Sequence, residues 1–304
     1  MRPRRYNLPG SGLLSHSGMN TFLGCQKKYA FKYIDRVPPE TGEEGPGALE
    51  RGKAFHTLVE TGGAGDIATD LQGDAYELVR VQTAYDAYEA HLQMGALPRV
   101  QFKEARLISD EHQFIGYVDG ISEREDGSWM LTEMKTSQRF DPIQWATLRV
   151  NFQISLYTAF AMDFAHRELL DYDQLKGVSY QKIIFSAKKP LQPTKKKRPN
   201  PESPQEFAQR IAGDTKIHHQ MVVPTDHAKL SAVSTFDLVK QGIHALGGNS
   251  RVATRNTQNC FAYGRVCEYF GHCHGVSFED LEEDSATTRI ANDLDELDEL
   301  GELA

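Results

Sequence analysis

Asp119, Glu133 and Lys135 are residues whose types and spacing could do chemistry together in this 304-residue chain. They lie in FIGYVDGISEREDGSWMLTEMK, residues 114–135, which alternates in two arms around a turn. Ile115, Tyr117, Asp119 and Ile121 interleave with Phe114, Gly116, Val118 and Gly120; Trp129, Leu131, Glu133 and Lys135 interleave with Met130, Thr132 and Met134. Two short strands joined as a hairpin are expected. Two turns fit Glu125-Asp126-Gly127: a two-residue Asp126-Gly127 loop, or a three-residue loop with a left-handed Gly127. The first sets Asp119 opposite Met134 and the second sets it opposite Glu133, and directly opposed residues share a face. In the second register two carboxylates and an ammonium gather on one side of the sheet, a costly arrangement without a compensating ion. Mg²⁺ takes oxygen ligands from one or two carboxylates, and a lysine two residues from a metal-binding glutamate could orient a water for attack on phosphorus. The same residues equally suit a surface hairpin with a solvated Glu133/Lys135 pair.

The elements that must position this hairpin read as follows. Ser17 to Phe22 can start a helix, with Cys25 just past it. Residues 48–60 form a helix on which Gly52 and His56, four apart, share a face, so the small residue allows close approach and the imidazole points into the same space. A lone helical histidine is most often structural. A second helix spans 74–93, and Arg99 to Ser109 is a strand carrying Glu104, for which a solvated strand glutamate is the plain reading. Asp141-Pro142 starts a helix, an N-cap followed by proline at the first helical position. It is expected to run to about His166 with Trp145, Leu148, Phe152, Leu156, Ala159 and Phe160 as its buried stripe, and with Gln153 and Tyr157 four apart on one face. Gly177 to Ser186 is a further strand, and two more helices are expected over 204–220 and 226–246.

Between them, Ala187 to Arg198 holds six basic residues, among them Lys195, Lys196, Lys197 and Arg198, and no apolar periodicity. Such an exposed loop could contact phosphates without reading sequence, or serve as a solvated linker. Taken over the whole chain, the formal net charge of −8 argues against a nucleic-acid partner. Residues 279–304 hold 11 acidic side chains and one arginine, however, and the remainder is close to neutral at +2. That acidic tail is expected to be disordered, as is a mobile arm over residues 1–12. No apolar run reaches membrane-spanning length and the N-terminus lacks the apolar core of a signal peptide, so a cytoplasmic location is expected.

The chain has four cysteines, Cys25, Cys260, Cys267 and Cys273. In a reducing compartment they are more often metal ligands or buried thiols than disulfides. Both Zn²⁺ and iron-sulfur clusters accept four thiolates, and His272 and His274 are available as substitutes.

Gly116-x-x-Asp119 followed by Glu133-x-Lys135 resembles the core of the PD-(D/E)XK nuclease superfamily, with Glu133-Met134-Lys135 where many members have Asp-Tyr-Lys. The surroundings resemble its RecB-type branch with an iron-sulfur cluster, which includes phage exonucleases, the AddB nuclease domain and CRISPR adaptation nucleases. Cys25-Gln-Lys-Lys-Tyr29 is similar to the opening of that domain, with Gln26 replacing the more usual proline. Gly52-x-x-x-His56 and Gln153-x-x-x-Tyr157 resemble its motifs on either side of the catalytic strand. The resemblance covers Leu14 to about Gly275.

It implies an α/β PD-(D/E)XK core, a small mixed sheet flanked by helices, whose N- and C-terminal segments are clasped by a [4Fe-4S] cluster on Cys25, Cys260, Cys267 and Cys273. The nuclease domain would occupy residues 13–278. The resemblance further implies Mg²⁺ or Mn²⁺ held by His56, Asp119, Glu133 and the Met134 carbonyl, with Lys135 positioning the attacking water. Glu104 would make a water-mediated contact, and Gln153, Tyr157 and the basic residues 195–198 would bind DNA. The expected activity is that of an exonuclease on single-stranded DNA ends in phage or bacterial recombination or repair, with a helicase or recombination protein as partner. No Gly-x-x-x-x-Gly-Lys-Ser/Thr loop occurs, so no motor is expected in the chain itself. The competing readings are a structure-selective endonuclease and a non-catalytic DNA-binding protein that keeps the fold.

Overall fold

The computed structural model describes residues 12–40, 47–161, 175–193, 200–260 and 266–275. The mobile arm, the acidic tail and the basic run Lys195 to Arg198 expected from the sequence lie outside the described residues, apart from Gly12. In chain order the helices are α1 (His16–Gly24), α2 (Gln26–Tyr29), α3 (Ala48–Thr61) and α4 (Ala75–Gln93). Then follow β1 (Val100–Ser109), β2 (Phe114–Glu123), β3 (Trp129–Ser137), α5 (Pro142–Ala146), α6 (Phe152–Phe160) and β4 (Leu175–Ile184). The chain continues through α7 (Pro204–Ile211), β5 (Lys216–Val222), α8 (Asp226–Ala245) and α9 (Phe270–His274).

These elements form two compact units, the larger comprising residues 13–16 and 44–238 and the smaller residues 1–12, 17–43 and 239–304. The larger is built on one five-stranded sheet in the order β1-β2-β3-β4-β5. The β3/β4 pair is parallel and the others are antiparallel, so the sheet is mixed. One face is covered by α3 and α4, whose Phe55, Leu58, Val81 and Tyr88 cluster with Met134, Ile183 and Phe185. Helix α3 comes so close to β3 that a Cβ on Gly52 would stand 3.0 Å from Thr136 Oγ1, which is why a small residue sits there. Phe160 meets Phe114 at 4.8 Å between ring centroids and Phe236 at 5.4 Å, a second aromatic cluster in this unit.

The hairpin adopts the three-residue loop. Glu123 pairs with Trp129, Arg124 N donates to Ser128 O at 2.8 Å, and Gly127 takes φ +75°. The pairing continues through Gly120 opposite Thr132, so Asp119 and Glu133 are the next opposed positions.

Two expected helices differ. The helix from Asp141 starts as read, with Asp141 Oδ1 accepting from Ile143 N and Gln144 N, but it stops at Ala146. A 3-10 turn follows over Leu148–Val150, and Asn151 then takes an extended conformation and caps α6 by accepting from Ile154 N at 3.1 Å. An asparagine side chain competes with the helical backbone and favours a fresh start over continuation. Leu148, Leu156 and Phe160 of the expected stripe are buried, whereas Trp145 remains partly exposed. The helix expected over 204–220 is α7 followed by strand β5. Gly213 at φ +82° turns the chain, and residues 216–222 zip onto β4 as an edge strand.

In the smaller unit the two ends of the chain are stitched together. Asn256 and Asn259 donate to Gly24 O, Lys27 N donates to Thr254 O, and Glu40 caps α9 by accepting from Gly271 N and His272 N. The N- and C-terminal segments thus meet through hydrogen bonds of Asn256, Asn259, Lys27 and Glu40.

Candidate active site

Asp119 lies just past the paired part of β2 against β3, and its carboxylate is held from two sides. Oδ2 accepts the Met134 backbone N–H, and Oδ1 lies 3.0 Å from His56 Nδ1 on α3. Glu133 on β3 is only 3 % exposed. Its Oε1 accepts from Lys135 Nζ and, at 2.8 Å, from Gln153 Nε2 on α6. The break at Asn151 matters here, because it sets the start of the helix that carries Gln153 and Tyr157. His56, Asp119, Glu133, Lys135, Gln153 and Tyr157 are thus brought to one place, although 101 residues separate the first from the last.

The electrostatics follow from burial and crowding. Burial pushes the Glu133 carboxyl up to about 7; the Lys135 charge opposes this and the Asp119 charge adds to it. Burial pulls the Lys135 ammonium down, but the Glu133 and Asp119 charges outweigh it and the net shift is upward. Burial likewise lowers His56, while its hydrogen bond to Asp119 and that residue's charge carry it above its usual value. Burial, then the Glu133 charge, raise the Tyr157 phenol, which stays protonated.

Two residues that the sequence reading passed over belong to this neighbourhood. Glu60 follows His56 by four positions on α3, and burial, then the charge and hydrogen bond of Glu104, raise its carboxyl to about 7. Glu104 itself has φ +49°, and the pairs on either side set it across from Asp119. The i, i+4 spacing of His56 and Glu60 was the available signal. His16 stacks on Phe152 at 6.0 Å and meets Tyr157 edge-on at 6.2 Å. Burial, then the Lys135 charge, push its imidazole down to about 4, so it is neutral near pH 7. Nothing in its local sequence marks it.

Two carboxylates crowded at a nearly buried position are the donor set a hard divalent cation accepts, with waters and phosphate completing its shell. Among the described residues, no group of three or more His, Cys, Asp or Glu side chains forms a ready metal cage. His56 is engaged with Asp119, which leaves Asp119 and Glu133 as the carboxylate pair.

The four cysteines are free thiols of the smaller unit. Cys25 caps α2, its Sγ accepting from Lys28 N at 3.5 Å; Cys267 N donates to Cys260 O at 2.7 Å; Cys260 Sγ lies 3.7 Å from His274 Nε2. Burial raises the Cys260 thiol, and the Cys267, Cys273 and Cys25 charges raise it further, but among the described residues the four thiols do not form a group arranged to hold a metal. Cys25, Cys260 and Cys267 line a cavity of ≈ 510 Å³ with Asn20, Thr21 and Lys28.

The model of the PD-(D/E)XK nuclease superfamily matches residues 13–274. The chain belongs to this superfamily. No curated protein matches it. The chain is similar in fold to the crystal structure of "Putative exonuclease" from Eubacterium rectale, with a TM-score of 0.54 and 13% identity over 89% of this chain and 92% of that one. The mixed sheet with flanking helices is consistent with a PD-(D/E)XK nuclease, and nucleases of this superfamily typically use divalent metals. Among the described residues no helix is long and apolar enough to cross a membrane.

Proposed function

We propose that this PD-(D/E)XK nuclease is a Mg²⁺- or Mn²⁺-dependent deoxyribonuclease that acts as an exonuclease on single-stranded DNA ends. The observation that carries the reading is the convergence of Asp119, Glu133 and Lys135, with Gln153 bridging from α6 to Glu133 Oε1. Asp119, Glu133 and the Met134 carbonyl would hold the ion, with His56 beside it; when bound it supplies Lewis-acid polarisation of the phosphate and acidifies water. His56 and the Met134 N–H aim the Asp119 carboxylate. The Glu133 and Asp119 charges hold Lys135 cationic in the metal-free site, which suits it to orient the attacking water and stabilise negative charge as a donor. Gln153 fixes the Glu133 carboxylate, and the protonated Tyr157 phenol offers a donor to the strand.

The same reading places a [4Fe-4S] cluster on Cys25, Cys260, Cys267 and Cys273. Support comes from the three soft donors Cys25, Cys260 and Cys267 that line one cavity, with Cys273 on the adjoining α9. Clasping residues 235 positions apart would remove much chain entropy from the unfolded state. Anaerobically purified protein is expected to be brown and to contain iron and acid-labile sulfide, with colour and stability lost together in Cys25→Ala. Colourless protein with stoichiometric zinc would replace the cluster by structural zinc without touching the nuclease reading.

Labelled linear and circular single strands incubated with and without Mg²⁺ or Mn²⁺ test the activity. Metal-dependent loss of the linear strand with survival of the circle is expected. Lys135→Ala is expected to lower turnover at least about 100-fold while DNA binding survives. Cleaved circles would assign an endonuclease, and unchanged turnover in Lys135→Ala would remove the site.

A further inference from the structure

The candidate active site does not end at β3. Register carries its face of the sheet across two more strands, because Glu133 pairs with Tyr180 and Tyr180 with Gln220, while Lys135 pairs with Lys182 and Lys182 with His218. Paired residues lie on the same face, and neighbouring strands are about 5 Å apart, so His218 stands about 10 Å from the Lys135 position. The Lys135 and Glu133 charges act on the Tyr180 phenol from the same face of the sheet, where Tyr180 and Lys182 are themselves buried.

Aromatic rings collect at the far end of this row. Phe140 stacks on His218 with centroids 4.2 Å apart and planes 27° apart. Trp145 stands 5.6 Å from Phe140, 5.8 Å from His218 and 6.0 Å from Tyr180. Phe140 is exposed and Trp145 partly so. Buried clusters of this size are ordinary core; here Tyr180 is buried, but Phe140 is exposed and Trp145 and His218 are partly exposed at the edge of the sheet. The broken helix creates it, since α5 ends one residue after Trp145 and leaves that turn on the sheet edge rather than inside a long helix.

The cluster has a positive surround. Lys182 Nζ is fixed by Gln144 Oε1 at 2.6 Å; exposed Arg139 directly precedes Phe140 in the chain, and exposed Arg149, four residues after Trp145, is anchored through Nε to Val223 O at 3.3 Å. The nearby Asp141 carboxylate is occupied in capping α5. An aromatic cluster partly open to solvent, with arginines close by in the chain and on the sheet face that carries the phosphodiesterase site, suits one ligand chemistry: an unpaired nucleic-acid strand with its bases on the exposed Phe140 and Trp145 rings and its phosphates toward the cations.

We propose that Trp145, Phe140 and His218 form a base-stacking platform that holds the single strand leading into the Asp119/Glu133/Lys135 centre. The inference rests on the nuclease reading for its direction, but its test does not require turnover. A duplex keeps its base faces stacked internally, so the platform would select for unpaired strands irrespective of sequence.

Trp129 and Trp145 are the only tryptophans, so the full-length Trp129→Phe variant reports on Trp145 alone. Titrated in chelator with a short oligothymidylate, it is expected to show saturable quenching that a blunt duplex does not produce. Trp145→Ala is expected to bind the oligomer roughly 10-fold more weakly and Trp145→Phe to retain most of the affinity. Arg139→Gln is expected to lower the salt dependence of binding by about one phosphate contact. Emission unchanged at saturating oligomer, or equal affinity in Trp145→Ala, overturns the platform. Should Trp145→Ala fail to fold, the quenching experiment decides alone. Hydrolysis of thymidine 5′-(p-nitrophenyl phosphate) with Mn²⁺ by the wild type reports separately on the nuclease reading. Quenching without hydrolysis keeps the platform and removes the enzyme, whereas hydrolysis without quenching does the reverse.

Discussion

Replacing Glu133 by glutamine is expected to stabilise the metal-free protein above neutral pH while removing its response to metal. The carboxyl is 3 % exposed and moves from its ordinary 4.5 to about 7. A carboxyl displaced that far carries a charging penalty of about 3 kcal/mol once the pH is well above 7. The sign follows from proton binding. The folded protein binds this proton more tightly than the unfolded chain, so stability falls as pH rises from about 4.5 to about 7 and stays low beyond. Glutamine removes the penalty and can still accept from Gln153. The Lys135 attraction opposes the shift and is already contained in it, and the Lys135 side chain, 43 % exposed, can rehydrate. The expected gain is about 2 to 3 kcal/mol, a rise in apparent Tm of about 3 to 5 °C for a chain of this length. Circular-dichroism melts in chelator at about pH 8 and about pH 5 measure it, because at the lower pH the wild-type carboxyl is already protonated and the gain should vanish. Added Mg²⁺ should raise the Tm of the wild type at pH 8 and leave Glu133→Gln unmoved. A variant less stable than the wild type at pH 8, or a difference that ignores pH, would refute the crowded-carboxylate account.

Two further substitutions test how the scaffold presents the site. Gly177 has φ +143° at an irregularity of β4, and an added Cβ would run into Val222 O; Gly177→Ala is expected to cost at least about 2 kcal/mol in urea unfolding, and a change below about 0.5 would show that the edge yields. Asn151→Ala removes the cap of α6 and should cost about 1 kcal/mol of stability. Because Gln153 lies in the first turn of that helix, the same variant should lose turnover more than a comparable surface cap such as Ser203→Ala at the start of α7; equal turnover in both would separate α6 from the site.

What the sequence by itself determined lies within single elements. Alternation around Asp119 and Glu133 defines the two strands, Asp141-Pro142 starts a helix, and His56 and Gln153 each sit at a readable place on a helix. These signals are local because backbone geometry repeats over a few residues. The register of the hairpin was not local, since both turns satisfied Glu125-Asp126-Gly127, and the pairing that continues to Gly120/Thr132 selected the three-residue loop. Strand β5 was misread as helix because residues 216–222 owe their extended form to β4, an edge that the local sequence does not display. Asn151 splits a run whose apolar pattern continues through it, because a side-chain cap overrides periodicity only where tertiary packing lets the chain turn. His16, Glu60 and Glu104 join the site, and Phe140, Trp145, Tyr180 and His218 join each other, from segments far apart in the chain. Their proximity comes from how the sheet and helices close around one another, and no spacing along the chain encodes that closure.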